Sequence, residues 1–230
     1  MLIKAIPSRL FTEREALEAY VLQHIPRLKE GSILCVTSKI VALAQGRVVA
    51  NARGAKTRWI HKESEQAIKT KWCYLTLKEG HWCPNAGIDE SNANGKLILW
   101  PEKSYEVAQT LRKALQKKFR LKKLGILITD SRVFPLRAGV VGVALAYAGF
   151  KGLRDYRGRP DLFGKKLALT QTNIADTLAS AAVMVMGDGR ERQPLAVIES
   201  APVTFVSKVD PTELRMDPAG DLYRPLFSKG

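Results

Sequence analysis

Short apolar segments recur along this chain of 230 residues, and each is bounded by glycine, charged or polar residues. Apolar segments as short as these are typical of strands that pack into a sheet, whereas a typical helix is longer. The chain is therefore restricted to folds that contain β-sheet. We predict strands in the segments LIKAI, GSILCV, KWCYLTLKEG, GKLILW, LGILITD, PLAVIES and PVTFV.

Helical periodicity is found in several of the segments between these strands. Thr12 precedes Glu15 by three residues, which is the spacing of a capping box at the start of a helix. Near the other end of the chain, Gly187 follows an apolar segment and is suited to end a helix. We predict helices over residues 12–25, 101–119 and 172–187, and a partly helical segment over residues 53–71.

Strands and helices follow one another in an irregular order. Residues 31–49, for example, combine a buried strand, a polar break at residues 37–39 and a further apolar segment. This irregular order predicts an α+β fold, in which helices pack against mixed sheets, rather than a regular doubly wound sheet. The length favours a single module over residues 1–230. The alternative is two subdomains, with residues of about 85–165 inserted into the first.

The net charge of +15 comes from 37 basic and 22 acidic residues and attracts anions. Such an anion is a nucleic acid, an acidic membrane or a nucleotide. The basic segment RKALQKKFRLKK has only Phe119 as an aromatic residue and lies in no known nucleic-acid-binding motif. A solvated helix end explains it better, since cations stabilise the C-terminal end of a helix.

The longest uncharged run, residues 138–150, is interrupted by glycines and is shorter than the ~20 residues of a membrane-spanning helix. The N-terminal residues lack the apolar stretch of a signal peptide. We therefore expect a cytoplasmic protein that does not bind membranes. The cysteines and histidines show no disulfide or zinc-site spacing; they are Cys35, Cys73, Cys83, His24, His61 and His81.

Asp130 follows the apolar run LGILIT, at the point where a predicted strand ends. In open sheets, ligands bind beyond the carboxyl ends of strands. Together with the hydroxyl group of Ser131, the Asp130 carboxylate could bind a hard divalent cation such as Mg²⁺, whose remaining ligands are water and phosphate oxygens. The alternative is that Asp130 caps a turn.

The octapeptide NAGIDESN, residues 85–92, contains a second candidate carboxylate. Asp89 could provide a metal ligand, and Asn92 a hydrogen-bond donor to phosphate or sugar. Gly87 permits a tight path of the backbone at this point. The alternative interpretation is a polar connection between two strands.

Two further polar segments could contact anions. In the segment MGDGRER, glycines flank Asp188 and basic residues follow, as in a phosphate-contacting loop or an ordinary helix end. In the segment DYRGRPDLFGKK and the arginine before it, guanidinium groups could bind a carboxylate or phosphate in a two-point manner, or pair with neighbouring aspartates. These arginines are Arg154, Arg157 and Arg159.

Taken in order, several segments resemble the coenzyme F420-0:γ-glutamyl ligase family, of which this chain looks like a divergent member. They are TSK, NAGIDESN, ITDS, DYRGRPDLFG, IADTLASAA and VMGDG, and the resemblance extends from about Ile6 to Ile198. The resemblance implies an unusual α+β fold, an intertwined homodimer and a C–N bond-forming ligase. Such a ligase adds L-glutamate to a small carboxylate acceptor through an acyl phosphate, with GTP as co-substrate and Mg²⁺ or Mn²⁺ as cofactor.

The resemblance also assigns roles to residues. The metal ligands it implies are Asp89, Asp130, Ser131 and Asp188. Asp130 and Arg137 are the catalytic candidates, and Lys39 and Arg137 are expected to contact phosphate or carboxylate. The nucleotide-binding residues it implies are Ile6, Pro7, Ser8, Arg9, Ser38, Lys39, Asn92, Met186, Gly187 and Gly189.

The chain differs from the family pattern at two places. Leu43 stands where many members carry a lysine that is expected to contact the nucleotide. Residues 133–139 keep only Pro135, Arg137 and Gly139 of the pattern G-R-P-W-R-R-G. The acceptor therefore stays open between an F420-0-like and a folate-like carboxylate, and GTP is favoured over ATP. A nucleic-acid-binding module and a catalytically idle relative are the alternative functions.

Overall fold

A five-stranded sheet forms the centre of the computed structural model, which describes residues 1–227. In order across the sheet, its strands are β1 (Leu2–Ile6), β12 (Leu195–Glu199), β2 (Ser32–Thr37), β8 (Leu124–Arg132) and β9 (Val141–Ala148). Strands β2 and β8 are parallel, whereas the other neighbours are antiparallel. The predicted mixed sheet is therefore confirmed.

Helices cover both faces of this sheet. Alternate side chains of a strand point to opposite faces, so Leu34 and Val36 pack against one group of helices, and Ile33 and Cys35 pack against another. Helix α4 covers the first face with Leu111, and helix α5 covers the second face with small residues. Among residues 1–227 the helices are α1 (Leu17–His24), α2 (Ser38–Ala44), α3 (Ala55–Glu63), α4 (Ser104–Phe119), α5 (Ile174–Met186) and α6 (Arg224–Phe227).

Smaller sheets complete the α+β fold. Their strands are β3 (Val48–Ala50), β4 (Gln66–Lys69), β5 (Tyr74–Lys78), β6 (His81–Pro84), β7 (Lys96–Ile98), β10 (Leu153–Asp155) and β11 (Gln171–Asn173). Strand β3 pairs with β7, β5 lies between β4 and β6, and β10 pairs with β11. Two 3₁₀ turns occupy Asn85–Gly87 and Pro218–Gly220. The single module and its two-subdomain alternative stay predictions.

Several sequence predictions need correction. Helix α1 begins at Leu17 rather than at Thr12, although the Glu15 carboxylate accepts a hydrogen bond from the Thr12 backbone N–H. The predicted strand PVTFV is wrong, since only Phe205 forms an isolated bridge, to Phe150. The polar break after β2 is the start of α2, and β9 lies in the glycine-containing run that was not assigned to a strand. No helix in the described part is long and apolar enough to cross a membrane.

The parallel pairing of β2 and β8 determines where the candidate site forms. Thr37 at the end of β2 is in register with Thr129 of β8. The next residues along each strand, Ser38 and Asp130, therefore emerge at the same edge of the sheet. The Ser38 hydroxyl donates a hydrogen bond of 3.2 Å to Asp130 Oδ1, which shows that the two side chains meet.

Candidate functional site

A cavity of about 950 Å³ opens at the edge of the sheet where Ser38 and Asp130 emerge. Cavities of this size bind small molecules such as nucleotides. Five segments of the chain and two single residues form its walls, and apolar and polar residues are mixed among them. The lining residues lie within the ranges 8–11, 37–43, 83–92, 129–131 and 183–194, together with Tyr20 and Val140.

The Asp130 carboxylate is held by donors on both of its oxygens. Oδ1 accepts from the Ser38 hydroxyl, and Oδ2 accepts from the Trp100 indole N–H at 2.7 Å. Burial raises the pKa of Asp130 above its ordinary value, although Arg132 and these hydrogen bonds act in the opposite direction. A nearby cation would favour the ionised form of this poorly solvated carboxylate.

The loop after α5 approaches the end of β8. Gly187 ends α5 with a positive φ of 79°, which confirms the predicted helix end. The next residue, Asp188, then accepts a hydrogen bond of 2.8 Å at Oδ1 from the Ser131 hydroxyl. This contact joins the loop to the end of β8, and Asp188 lines the same cavity as Asp130.

The Asp89 carboxylate of the octapeptide also faces the cavity. Its Oδ2 lies 2.6 Å from Lys39 Nζ, and its Oδ1 accepts from both the backbone N–H and the hydroxyl of Ser91 at 2.7 Å. Burial alone raises the pKa of Asp89, but Lys39 and Ser91 outweigh burial and hold that pKa below its ordinary value. Asp89 is therefore an ionised group paired with a cation that could move to an anionic ligand.

The remaining polar residues of the octapeptide determine the shape of its loop. Asn92 adopts a positive φ of 53° and donates from Nδ2 to the Gly189 carbonyl oxygen at 3.0 Å. This bond connects the octapeptide with the loop that carries Asp188. Gly87 has a φ of 71°, and a Cβ atom there would lie 2.1 Å from Trp100 Nε1. The octapeptide is therefore more than a solvated turn, because its glycine makes room for the indole that contacts Asp130.

The N-terminal segment contributes Ser8 and Arg9 to the cavity. The Tyr20 hydroxyl donates to the Arg9 carbonyl oxygen at 2.8 Å, and its oxygen lies in hydrogen-bond contact with Ser8 Oγ at 2.6 Å. The Arg9 guanidinium group pairs with Glu15 and lies 5.1 Å from the centre of the Tyr20 ring. An anionic ligand that used this guanidinium group would have to compete with Glu15.

Twelve of the fifteen residues that the family resemblance singles out line this cavity, and three do not. Ile6 ends β1 and packs against the first core cluster, and Pro7 lies outside the lining residues. Arg137 lies in an exposed turn, where its backbone N–H donates to the Phe134 carbonyl oxygen at 3.2 Å. The functional roles of all fifteen residues stay predictions.

The donors at the cavity suit a hard divalent cation in their chemistry. Carboxylate and hydroxyl oxygens are available from Asp89, Asp130, Ser131 and Asp188, and such oxygens favour Mg²⁺ or Mn²⁺. Within residues 1–227, however, no group of three or more His, Cys, Asp or Glu side chains is already gathered as a metal site. These side chains fit Mg²⁺ or Mn²⁺ as part of its coordination shell, and water and phosphate oxygens would provide the remaining ligands.

Two side chains at this site were missed in the sequence. Trp100 contacts Asp130 although thirty residues separate them, and no periodic pattern links the two positions. Tyr20 was assigned only to a helix, yet its hydroxyl group shapes the N-terminal wall of the cavity. A tryptophan immediately before a proline, at the end of a predicted strand, was the one available signal for Trp100.

The other candidate anion sites have more ordinary contacts. Arg112, in the basic segment, is buried and donates to the Leu124 carbonyl oxygen at 2.8 Å. It is therefore not part of a surface that could contact nucleic acid. Arg157 pairs with Asp155 at 2.6 Å, and Arg154 donates to the Pro202 carbonyl oxygen, as the alternative interpretation of this segment anticipated in part.

A family model and individual relatives of this chain agree with one another. The model of the F420-0:Gamma-glutamyl ligase family matches residues 6–200. The chain is 35% identical over 216 residues to the coenzyme F420:L-glutamate ligase of Methanosarcina mazei, covering 79% of this chain and 85% of that protein. It is 41% identical over 197 residues to that of Methanocaldococcus jannaschii, covering 77% and 79%. The match to the Methanococcus maripaludis strain S2 protein, 40% identical, spans 63% of this chain and only 59% of that relative.

Proposed function

The chain belongs to the F420-0:gamma-glutamyl ligase family, and on this premise we propose that it is a glutamate ligase that uses GTP and a divalent cation. The reaction would join the amino group of L-glutamate to a small carboxylate acceptor. One observation carries the proposal. Asp89, Asp130 and Asp188 are far apart in the chain, yet all three line one cavity that is large enough for a nucleotide.

The proposed reaction proceeds through an acyl phosphate, because a carboxylate by itself is a poor electrophile. An oxygen of the acceptor carboxylate attacks the γ-phosphorus of GTP, and GDP leaves. The amino nitrogen of glutamate then attacks the acyl carbon, the C–O bond to phosphate breaks, and the nitrogen loses a proton as the amide forms. Both steps bring anions together, so positioning and charge stabilisation account for most of the catalysis.

The cavity residues provide this positioning. Bound Mg²⁺ or Mn²⁺ would offset the negative charge of the phosphates. Asp130, Ser131 and Asp188 would hold the cation, since all three line the cavity and Ser131 already donates a hydrogen bond to Asp188. Lys39 would exchange its contact with Asp89 for a phosphate oxygen, which would leave Asp89 free to bind a cation.

The nucleotide and the acceptor would occupy different parts of the cavity. Ser8, Arg9, Ser38 and Asn92 would contact the nucleotide, as would the loop formed by Met186, Gly187 and Gly189. Val140 lines the cavity and is the last residue of the exposed segment 133–140, which contains Arg137. This segment would contact the acceptor, which is an F420-0-like or a folate-like carboxylate. We also propose that the protein is a homodimer, as the family resemblance implies. The molar mass in solution tests this.

The proposed function predicts that nucleotide and metal stabilise the protein only when supplied together. GTP with Mg²⁺ or Mn²⁺, at a hundred times its dissociation constant, should stabilise the fold by ~2.7 kcal/mol, and chelator should remove the effect. Asp130→Asn should abolish this stabilisation, because the amide cannot offer an anionic oxygen to the cation. The measurement is the melting temperature with GTP or ATP and with Mg²⁺, Mn²⁺ or chelator.

Asp210→Asn provides the matched control, since Asp210 is exposed and lies outside the residues matched by the family model. Its response to GTP and metal should equal that of the unchanged protein. Activity is then tested with glutamate and each acceptor by mass spectrometry of the amide and by phosphate release. Stabilisation by duplex DNA, but not by nucleotide and metal, would refute the ligase function and support a nucleic-acid-binding module.

A further inference from the structure

Trp100 is a buried aromatic residue that directly contacts the candidate metal ligand Asp130. Only 2% of its surface is exposed, and its indole N–H donates to Asp130 Oδ2 at 2.7 Å. It lies just beyond β7 and just before Pro101. The functional role of this residue is assigned neither by its position in the chain nor by the family resemblance.

The ring of Trp100 is restrained by charged neighbours. Lys78 Nζ lies 5.8 Å and the Arg132 guanidinium carbon 5.6 Å from the ring centre. Lys78 in turn lies 2.5 Å from Glu63 Oε2, which also accepts from Arg47 at 2.7 Å. The Arg47 Nε–H closes the network by donating to the Trp100 carbonyl oxygen at 3.0 Å. Cations near an indole ring are attracted to its electron density, so these contacts hold the ring in place.

The backbone just before Trp100 also supports Asp89. Asp89 and Ile98 exchange two backbone hydrogen bonds, both of 2.9 Å. The glycine of the octapeptide, Gly87, lies against the indole, where a side chain would overlap with it. Residues 98–100 therefore fix two carboxylates of the cavity at once, one through the backbone and one through the indole.

The two oxygens of Asp130 differ in what surrounds them. Oδ1 accepts from Ser38, which lines the large cavity. Oδ2 accepts from Trp100, which borders a separate, smaller cavity of about 330 Å³ together with Lys78 and Glu63. The indole thus holds Oδ2, whereas Oδ1 is held by a residue of the large cavity.

We propose that Trp100 is a positioning residue whose N–H group holds Oδ2 of Asp130 and so orients this carboxylate to bind the divalent cation. The proposal rests on the proposed function, because it assumes that Asp130 is a metal ligand. Partners that orient a metal ligand typically change metal affinity 10–100-fold when they are removed. A tryptophan that only filled space in the core would leave the metal affinity unchanged if its shape were kept.

An isosteric replacement separates these two roles. 3-Benzothienylalanine at position 100 keeps the two-ring shape but has sulfur in place of the N–H group, and Trp100→Phe removes both the N–H group and part of the volume. The matched control is Trp72→Phe, since the side chain of Trp72 is 85% exposed. The measurement is the affinity for Mn²⁺, from the electron paramagnetic resonance signal of free Mn²⁺, with and without GTP.

Both changes at Trp100 should weaken Mn²⁺ binding about 10–100-fold at unchanged stoichiometry, while Trp72→Phe should leave it as in the unchanged protein. Unfolding curves measured without metal are the control that each variant is folded. Mn²⁺ affinity of the folded isostere equal to that of the unchanged protein would overturn the positioning role and leave the proposed function intact. Absence of Mn²⁺ binding by the unchanged protein, even with GTP, would overturn both the positioning role and the proposed function.

Discussion

Replacing Gly87 by alanine tests how closely the octapeptide and the indole fit together. Gly87 has a φ of 71°, and an added Cβ atom would lie 2.1 Å from Trp100 Nε1 and 2.3 Å from Trp100 Cδ1. These distances are far below van der Waals contact, so either the loop or the ring must move. Because the ring is 98% buried and held by its neighbours, movement disrupts the hydrogen bond to Asp130.

The expected loss of stability is the sum of three contributions. The left-handed backbone conformation costs an alanine about 1–2 kcal/mol. Overpacking in a buried region costs about 1–3 kcal/mol, and loss of a hydrogen bond to a charged group is of similar size. We therefore expect Gly87→Ala to lower the free energy of unfolding by about 3–8 kcal/mol.

Gly95→Ala is the matched control, because Gly95 has a similar φ of 74° but no atom within 4 Å of the added Cβ position. It should lose only the backbone contribution of about 1–2 kcal/mol. The free energies of unfolding follow from urea denaturation of the metal-free proteins. Equal losses for the two variants would refute the close packing of Gly87 against Trp100.

Two further changes test the charge network and the nucleotide wall. Burial raises the pKa of Glu63, but hydrogen bonds from Lys78 and Arg47 outweigh burial and hold this pKa below its ordinary value. Ionised Glu63 therefore stabilises the fold fully above pH ~4.3, the pKa of glutamate in the unfolded chain. This stabilisation is lost as the pH falls through the lower pKa of the folded state. Glu63→Gln should therefore cost about 1–3 kcal/mol at pH 7 in urea denaturation and clearly less at pH 3, whereas an equal cost at both values would contradict the network. Leu43→Lys should strengthen binding of GTP with Mg²⁺ on the order of tenfold by calorimetry, since ~1.4 kcal/mol from one added cation suffices, and unchanged affinity would place the nucleotide away from this wall.

Local sequence signals predicted the elements that carry the site, but not all of their bounds. The run LGILITD became β8, and Gly187 ends α5, because a continuous apolar run and a helix-ending glycine depend on near neighbours. Strand β9 was missed because residues 138–150 carry apolar side chains and glycines without a clear period. The segment PVTFV has strand-like residues but lacks a neighbouring strand, and pairing across space is invisible to a local pattern.

The site itself depends on contacts between distant parts of the chain. No spacing in the sequence predicts that Ser131 donates to Asp188, or that Trp100 donates to Asp130. The family resemblance singled out the carboxylates, and the structure places them on one cavity. It supplied neither the indole nor the exposed position of Arg137, because tertiary packing determines both.

The central claim is that Asp130, Ser131 and Asp188 bind a divalent cation at a nucleotide site. The most direct test is a crystal structure with Mn²⁺ and a non-hydrolysable GTP analogue, in which anomalous scattering locates the manganese. We expect a manganese peak within coordinating distance of the Asp130 carboxylate and in contact with phosphate oxygens of the analogue. Manganese that binds only elsewhere, with the analogue bound in the cavity and no metal near Asp130, would contradict the claim.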